Sequence, residues 1–287
     1  MSTIIEQART QAGYETSSQL LQLRDQDWVL GRAQIQPRRL LDLGCGIGSL
    51  LRGAVERWPN LEQVWGIERS QLRLDLAREQ LRHAPADVVL QQGDLLDLPA
   101  LEQRFDLISM TAVLHWLYPH EDQLFQWVAR HLGEQGVFLF TSHHPVSPQG
   151  LGGEDELVGE ALLAMKLVMP GHVQAHFAEA AVLPMGTRTR SRVALEALVQ
   201  RHFQVRSIAS RSAALRIHSI EEYQRFHAAT FGTYFSPLVP PERIEEFFAR
   251  LGAIAKQRMA RQGHVTDIPV SVWRCVRRAE KKRGITL

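Results

Sequence analysis

The chain has 287 residues, 45% of them hydrophobic and 22% charged, ordinary globular usage for about two domains or one large α/β domain with an insertion. The 33 lysines and arginines against 31 aspartates and glutamates leave a net charge of +2, so no strong positive field points to nucleic acid. Two cysteines, Cys45 and Cys275, exclude a disulfide framework and a four-thiolate zinc site.

No apolar run approaches the roughly 18 residues that span a bilayer. Met1–Glu6 lacks the basic-then-apolar pattern of a secretory signal. The expectation is a cytoplasmic protein with neither membrane nor nucleic acid as a partner, working as a monomer or homodimer.

In chain order, Ser17–Leu30 carries helical spacing ahead of the first strand. From there to Thr141, short apolar runs alternate with amphipathic stretches, the pattern of a parallel sheet with crossover helices. Strands are predicted at Leu40–Leu43, Val64–Ile67, Val88–Leu90, Phe105–Met110 and Val137–Thr141, and helices at Ser49–Trp58, Ser70–Arg82 and His120–Leu132. Runs such as Val64-Trp65-Gly66-Ile67 are apolar on both faces, as a sheet covered on both sides requires. Ser49 is expected to cap the first of these helices and Gly133 to close the third.

Beyond Thr141 the pattern changes. Pro145–Gly153 reads as a loop, Glu154–Met169, Val173–Ala181 and Ser191–His202 as helices, and Phe203–Ile217 as extended chain. Ile220–Thr230 and Pro241–Arg261 read as helices and Val270–Val276 as a closing strand. The expectation is five strands, a helical excursion over the strand C-termini, and a return to the same sheet.

The strongest local signal is Leu40-Leu41-Asp42-Leu43-Gly44-Cys45-Gly46-Ile47-Gly48, a strand entering a glycine-rich turn before a helix. Glycines serve where the backbone turns tightly or a ligand must approach it closely. Ser49 stands where a dinucleotide fingerprint needs its last glycine, which argues against a dinucleotide. On its own the motif also fits a bare tight βα turn. Glu68, 24 residues after Gly44, ends the second strand and suits two ribose hydroxyls. Gly93-Asp94-Leu95 follows the third, where an acid suits an adenine amino group.

Asp42 through Gly48, with Glu68 and Asp94, resembles the class I S-adenosylmethionine-dependent methyltransferases, whose first motif reads D-x-G-x-G-x-G. The resemblance covers about Leu20–Phe140 and implies a Rossmann-like seven-stranded sheet with helices on both faces and the last strand antiparallel. It implies S-adenosylmethionine as the cofactor. Asp42, Gly44, Cys45 and Gly46 would then sit by its methionine part, Glu68 by the ribose, and Asp94 with Leu95 by the adenine. Arg69 and Thr111 complete the cofactor set. Cys45 reads as a small packing residue with no redox role. The corresponding division is 1–144 for the N-terminal helix and cofactor core, 145–190 for a helical lid, and 191–287 for the rest of the core, with a substrate-covering helical segment around 219–262.

Strand four is not followed by the Asn/Asp-Pro-Pro-Tyr/Phe box, which argues against nucleobase and glutamine-amide acceptors. Leu114-His115-Trp116-Leu117 is instead similar to the small-molecule carboxylate methyltransferases of the trans-aconitate, malonyl-carrier-protein and juvenile hormone acid types. Ser18–Asp25 is similar to the Leu-Gln-Lys-Arg-Asp helix of the last. There a glutamine and a tryptophan donate to the substrate carboxylate. The matching positions are Gln22 and Trp116, with His115 beside them, and the implied acceptor is a small acid, free or on a carrier protein.

The physical case agrees. An indole offers one N–H donor and no acceptor, a glutamine amide offers two donors, and a carboxylate is already ionised at neutral pH, so no base is required.

Two rivals stand. His115, His143 or His144 is placed to serve as a base for a phenol, amine or carbon acceptor. The chain also fits a cofactor-binding module without activity. No metal is expected, since Glu102 and Asp106 form no oxygen-ligand set. An apolar acceptor pocket is expected from Leu162, Leu163, Met165, Leu167, Val168, Met169, Phe177, Tyr223, Phe226, His227, Phe231, Tyr234 and Phe235. Arg188, Arg190, Arg192, Arg211 and Arg216 are candidates to pair with an anion.

Overall fold

The computed structural model describes residues 26–144 and 151–278. The apolar runs become strands β1 (Arg39–Leu43), β2 (Gln63–Glu68), β3 (Asp87–Gln92), β4 (Phe105–Met110) and β5 (Leu132–Ser142). After a helical excursion follow β6 (Phe203–Leu215) and β7 (Thr266–Arg277). They form one seven-stranded sheet in the order β3-β2-β1-β4-β5-β7-β6. β1 to β5 are mutually parallel, and β7 runs antiparallel between β5 and β6. The sheet is the seven-stranded α/β arrangement that the sequence implies. β1 lies between β2 and β4, so the strand order reverses at its C-terminal end, where open α/β sheets bind ligands.

Helix α1 (Gln26–Leu30) is the described end of the predicted Ser17–Leu30 helix, whose remainder lies outside the described residues. α2 (Ser49–Arg57) and α3 (Gln71–Leu81) cover β1 to β3, and α4 (Leu114–Leu117) and α5 (Glu121–His131) follow β4. Buried Leu40, Leu51, Val64 and Leu74 form the core on one face of the sheet, and Ile108, Phe125, Phe138 and Trp273 the core on the other.

Several boundaries differ from expectation for local reasons. Ser49 does not cap α2. The cap is Gly48, whose φ of +81° favours glycine, and Ser49 is the first helical residue. Gly133 does not close α5, because the chain passes from His131 straight into β5 at Leu132. The helix predicted from Glu154 to Met169 is α6 (Gly153–Ala164), and Lys166, with φ +57°, turns the chain out of it.

α7 (Val173–Glu179) and α8 (Arg192–Val199) come next, the latter capped by Ser191. The predicted Ile220–Thr230 helix continues a further turn as α9 (Ile220–Phe235), and α10 (Ile244–Gln262) opens with a 3₁₀ turn, Pro241–Arg243. Helices from both covering segments pack on one another. Leu157, Leu162, Phe177, Phe226, Phe248 and Leu251 share a single core, so α6, α7, α9 and α10 form one helical layer. Among the described residues no helix is long and apolar enough to cross a membrane.

Candidate active site

A cavity of about 390 Å³ lies between the C-terminal ends of β1, β4 and β5 and the helical layer. Its floor is the turn after β1. The N–H groups of Gly44 and Cys45 both donate to Ile67 O of β2, at 2.8 and 3.1 Å, which folds the turn back over the sheet. Gly44 and Gly46 have φ of +75° and +56°. A Cβ on Gly44 would stand 2.4 Å from Val113 Cγ2. A Cβ on Gly46 would meet nothing and would project into the space a ligand needs.

Two buried acids lie at this turn, and one of them holds it. Glu68 accepts the Gly46 N–H on Oε2 at 3.1 Å and the Ser70 N–H on Oε1 at 3.0 Å, tying the turn to the end of β2. Asp42 lines the cavity and accepts a 2.7 Å bond from Ser109 Oγ. Burial raises its pKa to about 7, against the opposing Ser109 bond. Burial also pushes the Cys45 thiol up, so this cysteine on the cavity floor stays protonated and unreactive.

The structure brings Asp42, Gly44, Cys45, Gly46, Thr111, His115 and Trp116 together around one space. Glu68 stands behind the turn, and Arg69, Asp94 and Leu95 lie outside the cavity wall. Asp94 is exposed at the end of β3, where its Oδ1 accepts the Leu96 N–H. Gln22 lies outside the described residues; Gln26, four residues further along, lines the cavity beside Val29.

On the β4 side, the Ala112 N–H donates to Thr141 Oγ1 at 2.8 Å, and α4 presents His115 and Trp116. Trp116 is 37% exposed, with the Arg188 guanidinium 5.5 Å from its ring centre and the Tyr234 ring edge-on at 5.7 Å. Arg188 also donates from Nε to His115 O at 3.0 Å. Burial, then the neighbouring His143 and Arg188, lowers the His115 pKa to about 3, which leaves it neutral and a weak base.

His144 is fully engaged. The Trp273 indole N–H donates to Ser142 Oγ at 2.7 Å, the Ser142 hydroxyl faces His144 Nε2 at 3.0 Å, and His144 Nδ1 meets Arg190 O at 3.1 Å. His143 Nδ1 meets Pro269 O at 3.0 Å, and a carbonyl only accepts, so the ring proton sits there and Nε2 keeps its lone pair. Burial lowers the pKa of both rings.

Of the apolar residues expected in the acceptor pocket, Phe226 and Phe231 line it. Leu162, Met165, Phe177, Tyr223, His227 and Phe235 do not; they are buried within the helical layer. None of the five candidate arginines is on the wall: Arg190 pairs with Glu121 at 2.9 Å, and Arg216 donates to Gly263 O. Arg73, Glu154, Met185 and Thr230 are wall residues that sequence reasoning missed. Only the helical period connecting Gln22 to Gln26 offered a signal for any missed position. Among the described residues no group of three or more His, Cys, Asp or Glu could hold a metal ion.

Comparison with known proteins agrees with this geometry. A methyltransferase-domain family model matches residues 40–136. A trans-aconitate 2-methyltransferase of Mycolicibacterium gilvum is 34% identical over 96 residues, 33% of this chain and 34% of that protein. A fatty-acid O-methyltransferase of Mycolicibacterium smegmatis is 32% identical over 116 residues, 40% of each. The chain therefore spans well under half the length of either relative. The crystal structure of a Geobacter sulfurreducens S-adenosylmethionine-dependent methyltransferase with S-adenosylhomocysteine superimposes with a TM-score of 0.56 at 16% identity, covering 94% of this chain and 99% of that one. The open Gly46 cradle and the donor-poor, acid-backed turn fit such a cofactor. Residues 40–136 match a methyltransferase domain, and the chain has the fold of an S-adenosylmethionine-dependent methyltransferase.

Proposed function

We propose that this chain methylates the carboxylate of a small-molecule acid, free or carried on a carrier protein. The observation that carries the reading is Trp116, whose indole N–H is a donor without acceptor capacity, on the cavity wall beside a histidine held neutral. When bound, S-adenosylmethionine supplies a sulfonium-activated methyl group to the acceptor oxygen and leaves as a neutral thioether. A carboxylate oxygen attacks without losing a proton, so nothing on the wall has to act as a base.

The protein's task is to orient and to exclude water. Gly44–Gly46 present backbone to the cofactor, Trp116 fixes one acceptor oxygen, and the helical layer closes the space above them. The matches to trans-aconitate and fatty-acid methyltransferases support an acidic acceptor, although the family match ends at residue 136, before the helical wall begins.

A second reading rests on His143, whose Nε2 lone pair suits proton removal from a phenol or amine. Steady-state kinetics of two variants separate them. Trp116→Phe keeps the ring and deletes the donor, and should cost about 1.5–3 kcal/mol, some 10- to 150-fold in kcat/KM. His143→Ala should fall less than that. A loss of about 10²–10⁴-fold in His143→Ala, with Trp116→Phe near wild type, would replace the carboxylate reading with the base-assisted one.

A further inference from the structure

Besides Asp42, three acids line the cavity, Glu154 and Asp155 from α6 and Asp267 from the start of β7, and their surroundings differ. Asp155 is fully engaged by backbone: its oxygens accept the N–H groups of Met185 at 2.7 Å, Gly186 at 2.8 Å and Gly152 at 3.3 Å. Asp267 is 54% exposed, open to water, and its Oδ2 lies 3.2 Å from His264 Nε2. Glu154 has neither arrangement. Its side chain is only 12% exposed, and the Tyr223 hydroxyl at 2.8 Å and His227 Nε2 at 3.0 Å both meet the same atom, Oε1. Among the described residues no donor meets Oε2. Oε2 is not sealed from solvent, and it stands on the cavity wall as an acceptor that no protein donor occupies.

We propose that Glu154 selects the acceptor. Its Oε2 takes a hydrogen bond from an amino or hydroxyl group at the end of the substrate remote from the methylated oxygen, so the acids this chain uses are amino or hydroxy acids. The Tyr223 hydroxyl holds the Oε1 side, with the His227 ring packed against the same atom, which leaves Oε2 as the oxygen open to a ligand. Glu154 takes no part in the transfer and sets specificity. The inference rests on the carboxylate reading for the other end of the substrate.

The test uses straight-chain carboxylic acids of equal length bearing a terminal amine, a terminal hydroxyl or neither. Binding to the full chain loaded with S-adenosylhomocysteine is measured by calorimetry, and products formed with S-adenosylmethionine are identified by mass spectrometry. Wild type should bind the amino or the hydroxy acid about ten- to a hundredfold tighter than the unsubstituted acid, and Glu154→Gln should abolish a preference for the amine and reduce one for the hydroxyl. Gln keeps an acceptor for Tyr223, so an unchanged melting temperature and unchanged S-adenosylhomocysteine affinity separate selection from a folding defect. Equal treatment of the three acids by wild type, including no binding of any, overturns the inference, as does a preference that survives Glu154→Gln. A preference that depends on Glu154 while the methyl group appears on nitrogen retains Glu154 as the selecting group and overturns the carboxylate reading alone.

Discussion

On the sheet side of the cavity, backbone does the work: positive-φ glycines at 44 and 46, N–H groups folded onto Ile67 O, and a buried carboxylate tying the turn to β2. On the helical side, side chains do it: Glu154 from α6, Met185 from the linker, and Phe226 and Phe231 from α9. Backbone contacts demand particular residues at fixed positions, whereas a side-chain wall can be rebuilt from many sequences provided its volume is filled. The first side should therefore govern cofactor affinity and the second acceptor choice, so changes on one side should leave the other's observable alone.

The largest effect is expected at Glu68. Glu68→Ala removes the acceptor for two backbone N–H groups, each worth about 1.5–3 kcal/mol, so calorimetry should show S-adenosylmethionine affinity reduced by roughly 10²-fold or more. Unchanged affinity would mean the turn holds its shape on the Ile67 O contacts alone, without Glu68.

Asp42 should report on stability. An acid whose folded-state pKa exceeds its unfolded value binds its proton more tightly when folded, so the stability it contributes is present at low pH and is lost as pH rises from 3.8 through about 7. The loss is on the order of 4 kcal/mol at most. Burial raises Asp155 to about 6, which adds a loss of the same sign over a narrower range. Asp42→Asn keeps an acceptor for Ser109 and should flatten most of this slope in denaturant titrations of the ligand-free chain. A wild-type stability that rises between pH 4 and 7 would contradict a buried, protonated Asp42.

The smallest effect is expected from the other side. Phe231→Ala opens the acceptor wall, and it should raise the acceptor KM several-fold while leaving S-adenosylhomocysteine affinity within about twofold. A fall in cofactor affinity as large as that of Glu68→Ala would dissolve the distinction between the two sides.

The same division explains what could be read from the chain. The strands and Asp42–Gly48 were legible because apolar runs and glycines are local signals, and the Phe105–Met110 strand has the very bounds predicted. Ser49 was misread as a cap because serine at a helix start is common, while the positive φ of Gly48 shows only in three dimensions. Most of the helical wall was illegible. Phe177, Phe226 and Phe235 carry the same helical spacing and the same chemistry, yet one faces the cavity and two fill the core between helices. Glu154 became visible only when α6 packed against α9 and brought it to Tyr223 and His227.

The central claim, transfer of a methyl group to a carboxylate, is tested most directly by the lability of the product. Protein incubated with methyl-labelled S-adenosylmethionine and a small-molecule extract should yield label that mild alkali releases as volatile methanol, the behaviour of a methyl ester, and Trp116→Phe should yield far less of it. Label that stays non-volatile through alkali would place the methyl group on nitrogen, carbon or an ether oxygen and contradict the account.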